Sequence, residues 1–143
     1  LGDYSVLEAY FRIKPAPNRT IYIFALMGAY ADTAPFVTTK YGANLELSNG
    51  ISMEMVRGGV PIQDMFDGAP IYTNRDWRAL ADRYEVDDFS QGSSSASLLW
   101  HSVPNFGGPF ILRGSLADEL RMTFHDDFSG LSSHRFMIRG RIV

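Results

Sequence analysis

The sequence predicts an all-β fold, an antiparallel β-sandwich with one short helix near residues 74–84. Three observations carry that expectation. Residues Glu119–His125 alternate strictly, with Leu120, Met122 and Phe124 set between Glu119, Arg121, Thr123 and His125. A period of two is the mark of a strand with one buried face. Residues His134–Val143 repeat the pattern, with Phe136, Ile138 and Ile142 on one face and Arg135, Met137, Arg139 and Arg141 on the other. Finally, clusters of Gly, Pro, Asn, Asp and Ser separate short apolar runs along the whole chain, as in sandwiches and barrels. At 143 residues and 16.0 kDa the chain has the size of one domain, residues 1–143, with enough surface to bury a core of its own.

The elements follow in order. Leu7, Ala9, Phe11 and Ile13 share a face and predict the first strand. Pro15-Ala16-Pro17-Asn18 forms the connection to Arg19–Met27, a β-rich run apolar on both faces, which reads as a central strand covered on both sides. Ala29–Pro35 reads as a longer loop. Further strands are expected at Phe36–Lys40, Ala43–Leu47, Ile51–Arg57, Leu98–Val103 and Pro109–Arg113. Around Asn49-Gly50, a two-residue hairpin would oppose Leu47 with Ser52, so a three-residue loop that opposes Leu47 with Ile51 fits better. The helix is expected because Trp77, Leu80, Ala81 and Tyr84 recur on one stripe, behind a capping box from Thr73 to Asp76. Gln91–Ser97 is rich in Gly and Ser and reads as a mobile loop, and Gly58-Gly59 and Gly107-Gly108 as bulges or tight bends. Successive strands of this kind favour jelly-roll topology.

Composition removes several function classes. The absence of cysteine excludes disulfides, thiolate catalysis and thiolate metal sites. A net charge of −3 argues against a nucleic-acid partner as a global property. The longest apolar run, Ile21–Ala31, is too short for a helix to span a bilayer, so no membrane role is expected. Arginine outnumbers lysine 11 to 2, a bias that suits contact surfaces.

Few residues form a chemical constellation. His125 and His134, with Asp126 and Asp127, could in principle offer metal ligands, but their spacing matches no ligand motif and fits polar strand ends better. Asp87-Asp88 and Asp126-Asp127 read as turn initiators. Ser93, Ser94 and Ser95 lie in a polar stretch with no nucleophile elbow. No catalytic residue, metal or cofactor is expected. What stands out is contact chemistry. The Arg135, Met137, Arg139 and Arg141 face is the candidate interface. Aromatic residues make up 13% of the chain, and Trp77, Trp100 and Tyr72 are candidates for stacking on a sugar under an alternative carbohydrate-binding reading.

The stretch from Leu98-Leu-Trp-His-Ser-Val-Pro through Met137-Ile-Arg-Gly-Arg-Ile-Val143 resembles the ends of β-sandwich structural proteins from tailed-phage virions. There a strand like Phe110-Ile-Leu-Arg113 leads into an alternating strand like Glu119–Phe124, a polar Asp/Ser loop, and a closing strand with an aromatic and a late glycine, here Phe136 and Gly140. The resemblance covers roughly 45 residues and carries no catalytic motif. It implies a non-enzymatic virion component, such as a capsid, decoration, collar or fibre subunit, whose partners are copies of itself and other virion proteins.

Overall fold

The computed structural model describes residues 2–32, 51–64, 83–89, 93–102 and 107–143. Within them the chain forms nine strands in two antiparallel sheets, a β-sandwich. The strands are β1 (Ala9–Ile13), β2 (Thr20–Asp32), β3 (Ile51–Arg57), β4 (Val60–Asp64), β5 (Arg83–Phe89), β6 (Ser93–His101), β7 (Phe110–Arg113), β8 (Asp118–Phe124) and β9 (Ser133–Ile142). One sheet has the order β1-β8-β3-β4. In the other, β5-β6-β2-β7, the long β2 also pairs with β9. Successive described strands alternate between the sheets at both chain ends, β1, β2 and β3, and β7, β8 and β9. In the middle, β3–β4 and β5–β6 are hairpins within one sheet.

The core lies between the sheets, and alternation decides who enters it. Leu120, Met122 and Phe124 of β8 face Met53 and Met55 of β3 and Leu26, Leu98 and Leu112 of the opposite sheet, all buried. Phe136 and Ile138 of β9 close the side against Phe11 of β1, whose ring centre lies 5.0 Å from that of Phe136. Ile142 keeps the same parity but is 65% exposed. Gly140 sits where a Cβ would come within 2.5 Å of the Tyr22 carbonyl oxygen, so glycine lets β9 lie close to β2 beside the bulge between Ile23 and Ala25.

Several expectations need correction. Leu7 precedes β1 and is 79% exposed, so the alternation at the chain start was extended one step too far. Strand β2 is central, but the bulge turns Phe24 outward, 40% exposed, so it is not covered on both sides. It also runs on to Asp32 where a loop was expected, because Tyr30 points inward and fills the core. Ser93–Ser97 is not a loop but the first half of β6, held between β5 and β2. Asp87 and Asp88 lie inside β5 rather than in a turn, and Tyr84 belongs to β5 rather than to a helix. The rest of the expected helix, including Trp77 and most of residues 74–84, lies outside the described residues, as do Tyr72, the strands at 36–40 and 43–47, and the Asn49-Gly50 turn.

Two local devices hold the frame. Gly58 (φ 56°) and Gly59 (φ 89°) form the two-residue turn of the β3–β4 hairpin, with Arg57 opposite Val60. Positive φ at both central positions defines a type I′ turn, whose twist matches the strands. At the other end, a 3-10 turn, Gly114–Leu116, leads into β8 through Ala117 in the left-handed conformation (φ 54°).

Candidate functional site

The four β9 positions expected to share one face do so. On β9, Arg135, Met137, Arg139 and Arg141 all point to the outer face of the five-stranded sheet and are exposed, Met137 by 49%. The register aligns Met137 with Met27 and Leu99, Arg139 with Ala25 and His101, and Arg141 with Tyr22 and Ile111. With the outward Phe24, these positions make an apolar strip bordered on its β9 side by three guanidinium groups. Among the described residues none of Arg135, Arg139 and Arg141 enters an ion pair. The face is therefore apolar in its middle and cationic at its rim, a composition favoured in protein contacts.

Strand β9 is also an edge. Among the described residues its only ladder is with β2. Alternate backbone N–H and C=O groups over a ten-residue strand thus point away from the sheet. An edge of this length is a template for another strand unless something blunts it.

The second chemical cluster was not expected. On the outer face of the four-stranded sheet, His125 Nδ1 lies 2.9 Å from Glu8 Oε1, and His125 Nε2 lies 3.0 Å from Ser52 Oγ. An ionised carboxylate only accepts, so Nδ1 donates to Glu8, and the neutral ring's Nε2 then accepts from the Ser52 hydroxyl. The Tyr10 hydroxyl donates to Glu8 Oε2 at 2.9 Å and is the main reason the Glu8 carboxyl titrates below its ordinary range. Slight burial opposes this, and His125 adds to it. Beside them, Arg12 and Arg121 both reach Glu119, at 3.7 and 2.9 Å, and Arg12 lies 4.8 Å from the Tyr10 ring centre.

Serine, histidine and carboxylate in hydrogen-bonded series is the arrangement of a nucleophile relay. Here, however, Ser52 is buried at the start of β3, in ladder with Thr123, rather than displayed on a turn. The relay ties the entry of β1, the start of β3 and the exit of β8 into one sheet. Replacing His125 with Ala removes both bonds and leaves the buried Ser52 hydroxyl unmatched. Urea denaturation should then show a loss of about 1–2 kcal/mol, and Ser52→Ala a smaller one.

His134 does not join His125. It lies inward, opposite Tyr30, in an aromatic cluster with Phe124, Phe128 and Phe136, whose ring centres lie 4.6–5.5 Å from its own. The expectation of a solvent-facing strand end is therefore wrong for this residue. Parity along β9 puts it on the side of Phe136 and Ile138. Burial pushes its pKa down from 6.5 to about 3. Between those values the unfolded chain holds a proton that the folded chain refuses, so stability falls as pH drops through that window. At about 1.4 kcal/mol per unit, the loss should reach a few kcal/mol by pH 4. Urea midpoints measured from pH 7 to pH 4 should show it, and His134→Phe should flatten the upper part of the curve. Among the described residues no group of three or more His, Asp or Glu is placed to hold a metal.

Of the candidates for sugar stacking, Trp100 is placed in the core, 5% exposed, and presents no ring to a ligand. Its strand alternates, and Trp100 falls on the inward parity shared with Leu98.

Fold and surface together define an all-β sandwich whose arginine-bearing strand β9 is an edge among the described residues. No protein family, curated protein or solved structure significantly matches the chain.

Proposed function

We propose that this protein is a non-enzymatic structural subunit that assembles with copies of itself, as a capsid, decoration, collar or fibre component of a virion. The observation that carries the assembly reading is β9, a ten-residue edge whose outer face bears exposed Arg135, Met137, Arg139 and Arg141. Such a strand offers both backbone hydrogen bonds and a side-chain surface of the type favoured between proteins. The virion setting is supported by the resemblance of the C-terminal third to phage structural proteins. Partners are then other subunits of the particle, and no cofactor is needed. The alternative carbohydrate-binding reading loses Trp100, one of the three rings it needs.

Native mass spectrometry and light scattering over a concentration series test the proposal. The expected result is a mass that grows in multiples of 16.0 kDa with concentration. A strict monomer at high concentration would refute self-assembly.

A further inference from the structure

We infer that copies of this chain join head to tail, with β9 of one copy adding to the edge of β5 that no described strand covers in the next, so that the five-stranded sheet continues from subunit to subunit. The inference rests on the self-assembly reading and specifies its geometry.

Three observations lead to it. First, β5 and β9 lie on opposite edges of one sheet. Among the described residues β5 pairs only with β6, and β9 only with β2. Second, their directions suit each other. Strands β6 and β9 both run antiparallel to β2, and β5 runs antiparallel to β6, so β5 and β9 are antiparallel. A copy placed beside the first with the same side outward therefore offers an antiparallel neighbour. Third, the charges are complementary. The residues of β9 at outer-face positions are Arg135, Met137, Arg139 and Arg141. The β5 positions in register with Leu99, Ser97, Ser95 and Ser93 of β6 are Arg83, Glu85, Asp87 and Phe89.

One register satisfies all of these positions. Setting Arg139 opposite Asp87 also sets Arg141 opposite Glu85 and Met137 opposite Phe89, and leaves Val143 opposite Arg83. That makes two opposite-charge pairs and one apolar pair with no like charges facing. Directly opposite residues are the unit of sheet stabilisation. On the inner parity, Ile142, exposed in the single copy, falls opposite Tyr84. Pairing β9 with a second β9 is far less suitable. About a two-fold axis near the strand's middle, Arg135 would face Arg139 or Arg141, which is destabilising. Arginine on β9 thus blunts the symmetric contact while favouring the acidic edge. A contact between two different surfaces repeats without end, closing into a ring or extending as a filament.

The test is a charge exchange. Arg139→Asp with Arg141→Glu should weaken association on the order of ten- to a hundredfold in sedimentation, and so should Asp87→Arg with Glu85→Arg. Mixing the two double variants should restore assembly, because each then offers the edge the other lacks. As a check that does not depend on charge, the cysteine-free chain is given Met137→Cys and Phe89→Cys. These positions lie on opposite edges of one copy, so disulfides between them form only between copies. Mild oxidation should yield a ladder of dimers, trimers and longer species on a non-reducing gel, whereas Arg135→Cys with Phe89→Cys should not. Wild-type assembly that survives the charge exchange, or gives no ladder from the first cysteine pair, would overturn the β9–β5 contact while leaving self-assembly standing. A wild-type monomer would remove both.

Discussion

Replacing Asp118 with Ala should cost about 2–4 kcal/mol, a large share of the stability of a domain this size. Asp118 opens β8 and is fully buried. Its Oδ1 accepts from Arg57 Nε at 2.7 Å, and its Oδ2 accepts from the Arg113 backbone N–H at 2.9 Å. One carboxylate thereby joins β3, the end of β7 and the start of β8, where the chain crosses from one sheet to the other. Burial alone would raise its pKa. The Arg57 guanidinium and the Arg113 amide outweigh that effect and hold it below the usual carboxylate range. Truncation leaves the Arg113 amide without its acceptor and the Arg57 charge beside a void. Because Arg57 is partly exposed, its charge can turn toward water, which keeps the cost below that of a wholly buried pair. Asp118→Asn, which keeps the shape and loses the charge, should cost about half as much. With its pKa depressed, Asp118 contributes its stability above the unfolded carboxylate's range and loses it as pH falls through the folded value. That loss comes in more acid than the upper part of the His134 window, so the two groups can be separated by their pH ranges.

Gly114→Ala should be comparably damaging, for a steric reason. A Cβ built on Gly114 would lie 1.8 Å from the Ala16 carbonyl oxygen and 2.9 Å from that of Arg19. Both obstacles are backbone, and both belong to the β1–β2 connection, where the Arg19 N–H donates to the Ala16 carbonyl and the Gly114 N–H to the Arg19 carbonyl. The turn and the loop cannot separate without breaking those bonds. Chemical denaturation should show a loss of about 3 kcal/mol. Gly58→Ala is the useful contrast. Its Cβ would meet nothing within 4 Å, so only the cost of positive φ remains, about 1 kcal/mol.

Alternation was legible wherever one face meets the core and the other water. It placed Leu120, Met122 and Phe124 inside, and it separated Phe136 and Ile138 from the arginines of β9. It failed where burial on both faces or pairing partners override local preference. Ser93–Ser97 and Asp87-Asp88 carry turn formers, yet β6 lies between two strands and its ladder outweighs propensity. Strand β4 was missed because it is short and contains Pro61, which sits at the register shift opposite Val56 in a strand that pairs only with β3 among the described residues. Ile142 shows the limit of parity. Its parity was right, but at the end of β9 the side chain stays largely exposed. The outward face of β9 could be read from one run of sequence. The Ser52–His125–Glu8 relay could not, because its members lie far apart in the chain and meet only once β1, β3 and β8 are in register.

Hydrogen exchange along β9 tests the central claim most directly. In dilute solution the alternate amides that point away from β2 should exchange rapidly while their neighbours, bonded to β2, remain protected. At high concentration the outward amides should become protected as a further strand covers them. Protection of β9 that does not change with concentration, while the protein associates through some other surface, would contradict the account.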